Sequence, residues 1–351
     1  MTDGDLEESS KVRSRASSGI PTTRAPRTGH PGPVLAIVCP GQGSQSPGFL
    51  APWLDLPGVP EQLARLSEVT GLDLLAHGTT SDAGTIRDTA IAQPLIVAAG
   101  VVTATALGAL PGDAPAVVAG HSVGEFTAAV LAGVLTADDA LVLVRERGRA
   151  MAAASAVTPT GMSAVLGGDP EQVAAALAEH GLTAANANGS GQVVAAGTLE
   201  QLAALAAAPP ARTRVVPLQV AGAFHTHHMA PAVQALAAAA AGVTPADPRV
   251  PLLSNADGAA VTSGTQALER LVRQVSNPVR WDACTATLAG LGVTALVELC
   301  PGGTLAGLAK RGLPGVRTVA LKTPDDLDAA RALATELAEQ AAQSEQAGVT
   351  A

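Results

Sequence analysis

Aromatic and basic residues are both scarce in this sequence. Its 351 residues include no tyrosine, three phenylalanines and two tryptophans, and 30 acidic residues outnumber 21 basic ones to give a net charge of -9. Proteins that bind nucleic acids use a basic surface and aromatic side chains that stack on bases. The sequence therefore predicts no nucleic-acid partner.

Cysteine is scarce as well. Cys39, Cys284 and Cys300 are far apart, and none belongs to a C-x-x-C pair. Three widely spaced cysteines fit neither a disulfide framework nor a redox motif, and they indicate a reducing compartment. The acidic start of the chain has no apolar signal segment. We therefore expect a cytoplasmic protein.

The most apolar run of the sequence lies at 95–110. The uncharged run at 95–110, LIVAAGVVTATALGAL, is shorter than the roughly 20 residues that cross a bilayer. It predicts a buried helix and no membrane span. Residues 1–33 contain almost no large apolar side chain, so they predict a disordered tail.

Buried strands that run into tight turns and helices organise the next part of the chain. VLAIVC at 34–39 and AVVAG at 116–120 predict two such strands, and helical patterns near 60–76, 91–109 and 124–132 leave no room for hairpins. A strand at 294–299 repeats the pattern. This order is typical of an α/β domain with a mainly parallel sheet.

Residues 160–222 follow a different pattern. Their apolar spacing predicts strand, helix, strand, strand, helix and strand, with the last strand over 213–222, which is the split βαβ of a ferredoxin-like domain. We predict that this small domain, 159–222, is inserted into a large α/β domain formed by 34–158 and 223–325. A polar helix and tail over 326–351 would fray into solvent. The cleft between the domains is the expected ligand site.

The sequence GHSVG at 120–124 matches the G-x-S-x-G motif and lies directly between a predicted strand and a predicted helix. In this context the motif predicts a nucleophile elbow, in which Ser122 projects its hydroxyl at a helix N-terminus whose free N–H groups can hold an oxyanion. The alternative is an ordinary glycine-rich turn between a strand and a helix.

A serine nucleophile needs a base, and position along the chain narrows the histidines to three. His225, His227 and His228 lie in AFHTHH, where the chain leaves the small domain and crosses the cleft. His121 adjoins Ser122 and would point to the opposite face of the strand. Spacing alone does not choose among the three. A metal site at H-T-H-H is an alternative that lacks a third cluster of ligands.

Arg145, Arg147 and Arg149 lie on a predicted helix over 138–153. Arginine on such a helix usually faces solvent. If one of the three points inward, its guanidinium would form a bidentate clamp for a carboxylate, which matters if the acyl substrate is acidic.

Six motifs, in this order and at this spacing, resemble those of the malonyl-CoA:acyl carrier protein transacylases of fatty acid synthesis and the acyltransferase domains of polyketide synthases. They are PGQGSQ at 40–45, GHSVGE at 120–125, RERGRAM at 145–151, AFHTHHM at 223–229, NPVRW at 277–281 and PGGTLAGLAKR at 301–311. The resemblance covers about 34–325 of the sequence. It implies an α/β-hydrolase-like large domain with an inserted ferredoxin-like small domain.

The resemblance also implies catalytic roles. Ser122 matches the serine that carries the acyl group, and His225 matches its base. A main-chain carbonyl at Gln274 would orient the histidine in place of a triad carboxylate, so the identity of the Gln274 side chain should matter less than its backbone placement. The backbone N–H groups of Gln42 and Val123 match the oxyanion hole.

Further positions match the substrate pocket of the family. Arg147 matches the arginine that binds the malonyl carboxylate, and Gln93 and Asn188 match pocket-lining residues. Phe224 lies in an A-F-H sequence that accompanies malonyl selection in polyketide acyltransferases. A phenylalanine ring beside the catalytic pair leaves no volume for an α-methyl group.

The implied activity is ping-pong transfer of malonyl from malonyl-CoA to the phosphopantetheine thiol of acyl carrier protein, with no metal or redox cofactor. Lys310 and Arg311 are candidates for docking an acidic carrier, although such a pair can also complement a helix dipole. A serine hydrolase with the same elbow is the alternative function, but His225 has no evident Asp or Glu partner. A third interpretation is a catalytically inactive relative that acts as a scaffold.

Overall fold

A computed structural model describes residues 34–108 and 116–349, so the predicted tail over 1–33 lies outside the described residues. Within them the chain forms eleven strands: β1 (Val34–Cys39), β2 (Ala116–Gly120), β3 (Thr160–Gly167), β4 (Thr183–Gly189), β5 (Gln192–Thr198), β6 (Thr213–Pro217), β7 (Leu252–Leu253), β8 (Ala260–Val261), β9 (Val279–Arg280), β10 (Val293–Glu298) and β11 (Arg317–Ala320).

Helices connect these strands and cover both sheets. The described residues form twelve: α1 (Val59–Thr70), α2 (Leu74–Thr79), α3 (Thr89–Leu107), α4 (Gly124–Leu131), α5 (Ala137–Ser155), α6 (Pro170–Glu179), α7 (Leu199–Ala207), α8 (Ala230–Ala240), α9 (Gly264–Gln274), α10 (Trp281–Gly290), α11 (Thr304–Gly312) and α12 (Asp326–Val349).

The larger sheet has six strands in the order β11-β10-β1-β2-β7-β8, parallel except at the β8 edge. Helices cover both of its faces, which is why its strands are almost continuously apolar. Within β1, Ile37 joins one core cluster and its neighbour Val38 joins the other. Because β1 and β2 are parallel neighbours, their carboxyl ends, Cys39 and Gly120, pair directly. The loops that follow them therefore meet at one edge of the sheet.

The smaller sheet has five strands in the order β6-β3-β5-β4-β9. β3 to β6 and helices α6 and α7 follow the predicted order, and these four strands pair antiparallel. The fifth strand, β9, pairs parallel with β4 and comes from outside the predicted small domain. β6 ends at Pro217 rather than continuing to 222 as predicted. Proline contributes no N–H to a ladder, and the chain leaves the sheet there.

The most apolar segment forms α3, a core helix. It is 19 residues long and apolar enough to cross a membrane by length and composition, but 72% of its most hydropathic window is buried inside the protein. It packs against α4 and α5, and the Asp88 side chain caps its start by accepting from Ala90 N. The prediction of a buried helix is confirmed for 95–107, and positions 109 and 110 lie outside the described residues.

The C-terminal helix α12 does not fray as predicted over its first half. Leu327, Ala330, Leu333 and Leu337 are buried, and their spacing of three and four residues places them on one face. Arg331 also donates to the carbonyl oxygen of Ala106 at 2.6 Å. The polar composition of this segment hid a narrow apolar stripe, and that stripe docks the helix on the domain.

All three cysteines are free and buried. Burial raises the pKa of the Cys39 thiol far above its usual range, and the nearby Glu298 carboxyl raises it further. Cys39 is buried in the core and packs as a small hydrophobic residue.

Candidate active site

Ser122 lies at the turn between β2 and α4 and has a left-handed backbone conformation, with φ of 53°. Such a conformation is strained for a residue other than glycine. The turn also brings backbone segments very close together. A Cβ atom on Gly120 would collide with the backbone of Gly124, and a Cβ atom on Gly124 would collide with the carbonyl of Cys39. Both glycines of the motif are required by this packing.

His225 is the histidine that reaches the serine. Its Nε2 lies 2.7 Å from Ser122 Oγ, and its Nδ1 lies 2.8 Å from the carbonyl oxygen of Gln274. The carbonyl can only accept, so Nδ1 carries the proton and Nε2 is free to accept from the serine hydroxyl. Burial, followed by the positive charge of Arg147, lowers the pKa of His225 to about 3. The imidazole is therefore neutral at ordinary pH.

The other histidines point elsewhere. His121 Nε2 lies 2.8 Å from Asn188 Oδ1 at the end of β4. His227 and His228 stack on each other with ring centroids 4.1 Å apart. Among the described residues, no group of three His, Cys, Asp or Glu side chains is placed to hold a metal ion.

Arg147 points inward from α5 and is only 1% exposed. Its Nη1 donates to Gln93 Oε1 at 2.6 Å, and its Nη2 donates to Gln274 Oε1 at 2.9 Å and to Ser122 Oγ at 3.4 Å. These partners are all neutral, and Arg147 Nε has no hydrogen-bond partner among the described residues. Burial lowers the pKa of Arg147 to about 10, although the nearby Glu125 carboxyl raises it. The guanidinium is a buried cation with no carboxylate bonded to it within the described residues.

A cleft of about 620 Å³ opens beside Ser122, between the two sheets and α11. Every predicted catalytic or pocket residue except Gln274 lines this cleft. Arg311 also lines it, and Lys310 does not, although both are exposed in the last turn of α11. The cleft joins the serine and the arginine in one space that is open to solvent.

The two predicted oxyanion-hole residues lie on the adjoining loops. Val123 follows Ser122 at the start of α4, and Gln42 lies in the loop after β1. Neither backbone N–H donates a hydrogen bond to another described residue. The Gln42 side chain is held weakly. Its Nε2 lies 3.4 Å from Thr89 Oγ1, and its buried Oε1 has no hydrogen-bond partner within the part of the chain that the structure describes.

Sequence reasoning missed two buried residues behind the serine, Glu125 and Asn255. Asn255 Nδ2 donates to the Gly120 carbonyl at 2.7 Å, and Ser122 N donates to Asn255 Oδ1 at 2.8 Å. Glu125 accepts from Asn255 N at 2.7 Å and, through its second oxygen, from Gln274 Nε2. Glu125 was visible as the last residue of GHSVGE, but no sequence signal marked Asn255.

The Gln274 side chain is also more important than the sequence suggested. Besides the carbonyl that faces His225, its amide accepts from Arg147 and donates to the Ser122 carbonyl at 3.1 Å. The expectation that the side chain of Gln274 matters less than its backbone placement does not fit these contacts, because the amide fills the space between Arg147, Ser122 and Glu125.

The site combines a serine that is hydrogen-bonded to a histidine with a buried arginine, in a cleft between two sheets. Comparisons with known proteins agree with this arrangement. The sequence model described as acyl transferase domain matches residues 36–343. The malonyl CoA-acyl carrier protein transacylase of Mycobacterium tuberculosis is 53% identical over 298 residues, which covers 84% of this chain and 98% of that protein. The chain therefore belongs to the acyl transferase family, and the resemblance found in its motifs is confirmed.

Solved structures agree in fold as well. The crystal structure of MCAT from Mycobacterium tuberculosis has a TM-score of 0.82 and 52% identity, and the match covers 87% of this chain and 99% of that one. A holo type II PKS acyl-carrier protein in complex with its malonyl-transacylase matches with a TM-score of 0.79 and 34% identity over 84% of this chain and 98% of that one. Within the family, the chain is therefore similar to malonyl transacylases.

Proposed function

We propose that this acyltransferase moves the malonyl group from malonyl-CoA to the phosphopantetheine thiol of acyl carrier protein by a ping-pong reaction through a malonyl ester on Ser122. Identity of 53% over almost the whole length of a malonyl CoA-acyl carrier protein transacylase supports this activity. The observation that carries it is the convergence on Ser122 Oγ of His225 Nε2 at 2.7 Å and Arg147 Nη2 at 3.4 Å.

In the first half-reaction, Ser122 Oγ attacks the thioester carbonyl carbon and its proton passes to His225 Nε2. The carbonyl of Gln274 holds the imidazole in the required tautomer. The backbone N–H groups of Gln42 and Val123 donate to the oxyanion. The tetrahedral intermediate formed by this attack then collapses. Its C–S bond breaks, and the CoA sulfur leaves with the proton from His225.

The second half-reaction reverses these steps with a different thiol. The carrier thiol gives its proton to His225, its sulfur attacks the ester carbonyl, and Ser122 Oγ leaves with that proton. Only an acyl group and protons move, so no step calls for a metal or a redox cofactor.

Substrate choice follows from the charge and volume of the cleft. Arg147 binds the free carboxylate of malonyl. Hydrogen bonds to Gln93 and Gln274 hold the Arg147 side chain in place. The carboxylate supplies the counter-charge that the neutral partners lack. Phe224 and Asn188 line the same cleft, and the Phe224 ring limits the space for an α-methyl group.

We also propose the finer description of the fold and its setting. An α/β-hydrolase-like large domain comprises 34–158 and 223–325, a ferredoxin-like small domain comprises 159–222, and 326–351 form the terminal helix and tail. The strand order β6-β3-β5-β4, with α6 and α7 as the two crossings, supports the ferredoxin-like assignment. Three free, buried cysteines support a cytoplasmic location.

Acyl-enzyme formation with labelled malonyl-CoA tests the proposal. Label should remain on the protein after denaturation, and Ser122→Ala should carry none because no ester can form. His225→Ala should slow loading by about 10² to 10⁴-fold. His227→Ala and His228→Ala serve as matched controls, since neither ring contacts Ser122.

Four results would contradict the proposal. Label that stays on Ser122→Ala would place the ester elsewhere. Equal losses in all three histidine variants would indicate a shared structural or metal role. Steady release of free malonate without carrier would favour a serine hydrolase, and no labelling at all would favour an inactive scaffold.

A further inference from the structure

Glu125 is a buried carboxyl group that the proposed reaction steps do not use. It lies in the first turn of α4 and is 5% exposed. Leaving a carboxyl group in such a place is costly unless it is paired or hydrogen-bonded. Its two oxygens accept from Asn255 N and Gln274 Nε2, and these two residues contact the serine turn and the arginine, respectively.

This hydrogen-bond network contains groups that can only donate. These groups determine the direction of the other hydrogen bonds in the network. Arg147 is such a donor, so Gln274 must turn its Oε1 to the guanidinium and its Nε2 toward Glu125. Ser122 N is another, so Asn255 must turn its Oδ1 to the serine and its Nδ2 to the Gly120 carbonyl. Both oxygens of Glu125 must then accept, which an ionised carboxylate does and an amide in its place would not.

The Gln274 amide also separates the two buried charges. It lies between the guanidinium of Arg147 and the carboxylate of Glu125, bonded to both. The charges attract each other through it without direct hydrogen-bond contact. Arg147 is thereby held in place while its charge remains available to an incoming carboxylate.

We propose that Glu125 is a positioning residue: as a carboxylate, it orients Arg147 through the Gln274 side chain and steadies the Ser122 turn through Asn255. The role of Arg147 in binding an acyl carboxylate is taken from the proposed function, on which this inference rests. Glu125 touches no reacting atom, so its effect should appear as selectivity between acyl groups rather than as loss of chemistry alone.

Glu125→Gln is the first test, because it preserves shape and removes one acceptor. The new amide satisfies either Asn255 N or Gln274 Nε2 and sets an NH₂ group against the other. If Gln274 turns its amide in response, its own NH₂ then opposes Arg147. At about pH 9, where Glu125 is a carboxylate, we expect the ratio of kcat/KM for malonyl-CoA to that for acetyl-CoA to fall by about 5 to 100-fold, since acetyl has no carboxylate for Arg147 to bind.

The matched control is Glu171→Gln. Glu171 occupies the same second position of its helix, α6, but is exposed. This variant should change neither the selectivity ratio nor the melting temperature.

A double variant separates hydrogen bonding from charge. Glu125→Gln combined with Gln274→Glu lets the new amide donate to the new carboxylate, which in turn accepts from Arg147. We expect the melting temperature to recover toward the wild-type value relative to Glu125→Gln. The ratio of malonyl to acetyl transfer should stay low, because Arg147 would now have an internal counter-ion.

The outcomes are distinguishable. Equal losses for both acyl groups in Glu125→Gln, or no change in their ratio, would overturn the inference and leave Glu125 a structural residue. Recovery of malonyl selectivity in the double variant would overturn it too, because the uncharged link would then be unnecessary. If the wild-type protein formed no malonyl-enzyme, the proposed function itself would fail.

Discussion

At the residue scale, we propose that Arg147 selects the substrate, because a buried guanidinium whose hydrogen-bond partners are neutral favours an anionic acyl group. Arg147→Ala should lower kcat/KM for malonyl-CoA by about 10 to 150-fold, the worth of a charge-assisted bidentate contact. Acetyl transfer should be retained or increased, since the vacated space suits a neutral group. Arg147→Lys should retain more malonyl transfer than Arg147→Ala but less than the wild type, because one ammonium does not reproduce the planar, two-pronged guanidinium.

The measurement that checks this prediction is the ratio of kcat/KM for malonyl-CoA to kcat/KM for acetyl-CoA in each variant. An unchanged ratio in Arg147→Ala would make the arginine a structural residue and would remove the main argument for an acidic substrate.

Glu125 makes the same selectivity depend on pH. Burial raises the pKa of Glu125 to about 8. Hydrogen bonds from Asn255 and Gln274 lower this pKa, as do the charges of Arg147 and Arg270, but burial has the larger effect. A raised carboxyl pKa means that the acceptor form is present above about pH 8 and is lost as pH falls below it. The malonyl-to-acetyl ratio should therefore rise with pH through this value.

Specificity constants measured from about pH 6.5 to 9, below the pKa of about 10 of Arg147, check this prediction, with Glu125→Gln as the variant that should show no such rise. Among the described residues, the charged and titratable groups that act on Glu125 are Arg147 on α5, Arg270 on α9 and Cys284 on α10. His225 does not titrate in this range, because its pKa is lowered to about 3. A flat wild-type ratio would show that Glu125 keeps one protonation state throughout.

At the scale of elements, α11 is positioned by a carboxyl group that sequence reasoning overlooked. Glu298, at the end of β10, is fully buried and accepts from the backbone N–H groups of Gly303, Leu305 and Ala306 at 2.7 to 2.9 Å. Burial raises the pKa of Glu298, while these donors lower it. The helix N-terminus favours a negative charge here. Leu305 and Arg311 reach the cleft from this helix.

Glu298→Gln should therefore destabilise the fold, because the amide keeps one acceptor oxygen where three donors converge. We expect a loss of about 1 to 3 kcal/mol in the free energy of unfolding, measured by urea denaturation. Glu200→Gln, at an exposed position in the first turn of α7, is the control and should change little. Equal stability of the two variants would mean that Glu298 contributes nothing to the cap.

Charge acts at the scale of the whole molecule. The chain has a net charge of -9, so an acidic carrier protein must meet a locally basic surface to avoid repulsion. We propose that Lys310 and Arg311 provide such a surface, since both lie in the last turn of α11 and Arg311 lines the cleft. Lys310→Glu with Arg311→Glu should raise KM for carrier protein several-fold and leave loading from malonyl-CoA unchanged.

Transfer rates at increasing carrier concentration and increasing salt check the docking prediction. Arg149→Glu with Arg214→Glu is the matched control, since both side chains are exposed and neither lines the cleft. Loss of loading in the Lys310 and Arg311 variant would indicate damage to α11 instead, in agreement with the helix-dipole interpretation.

Several elements were predictable because their signals are local. The strand at 34–39, the turn at 120–124 and the helix at 124–132 follow from apolar runs and glycine positions, and the structure places them there within a residue. α12 was misjudged because four apolar residues at helical spacing are a weak signal within an Ala- and Glu-rich segment. The pairing of β9 with β4 joins residues far apart in sequence, which no local pattern reveals.

The sequence by itself determined the chemistry available to this protein: one serine in an elbow context, a histidine segment where the chain recrosses the cleft, and arginines on a neighbouring helix. Tertiary structure decided which of these groups meet. It selected His225 over its neighbours and turned Arg147 inward rather than Arg145 or Arg149. It also assembled Glu125, Asn255 and Gln274 behind the serine. The physical reason is that side-chain hydrogen bonds and burial depend on three-dimensional neighbours, whereas strands, turns and helices reflect residues close in the chain.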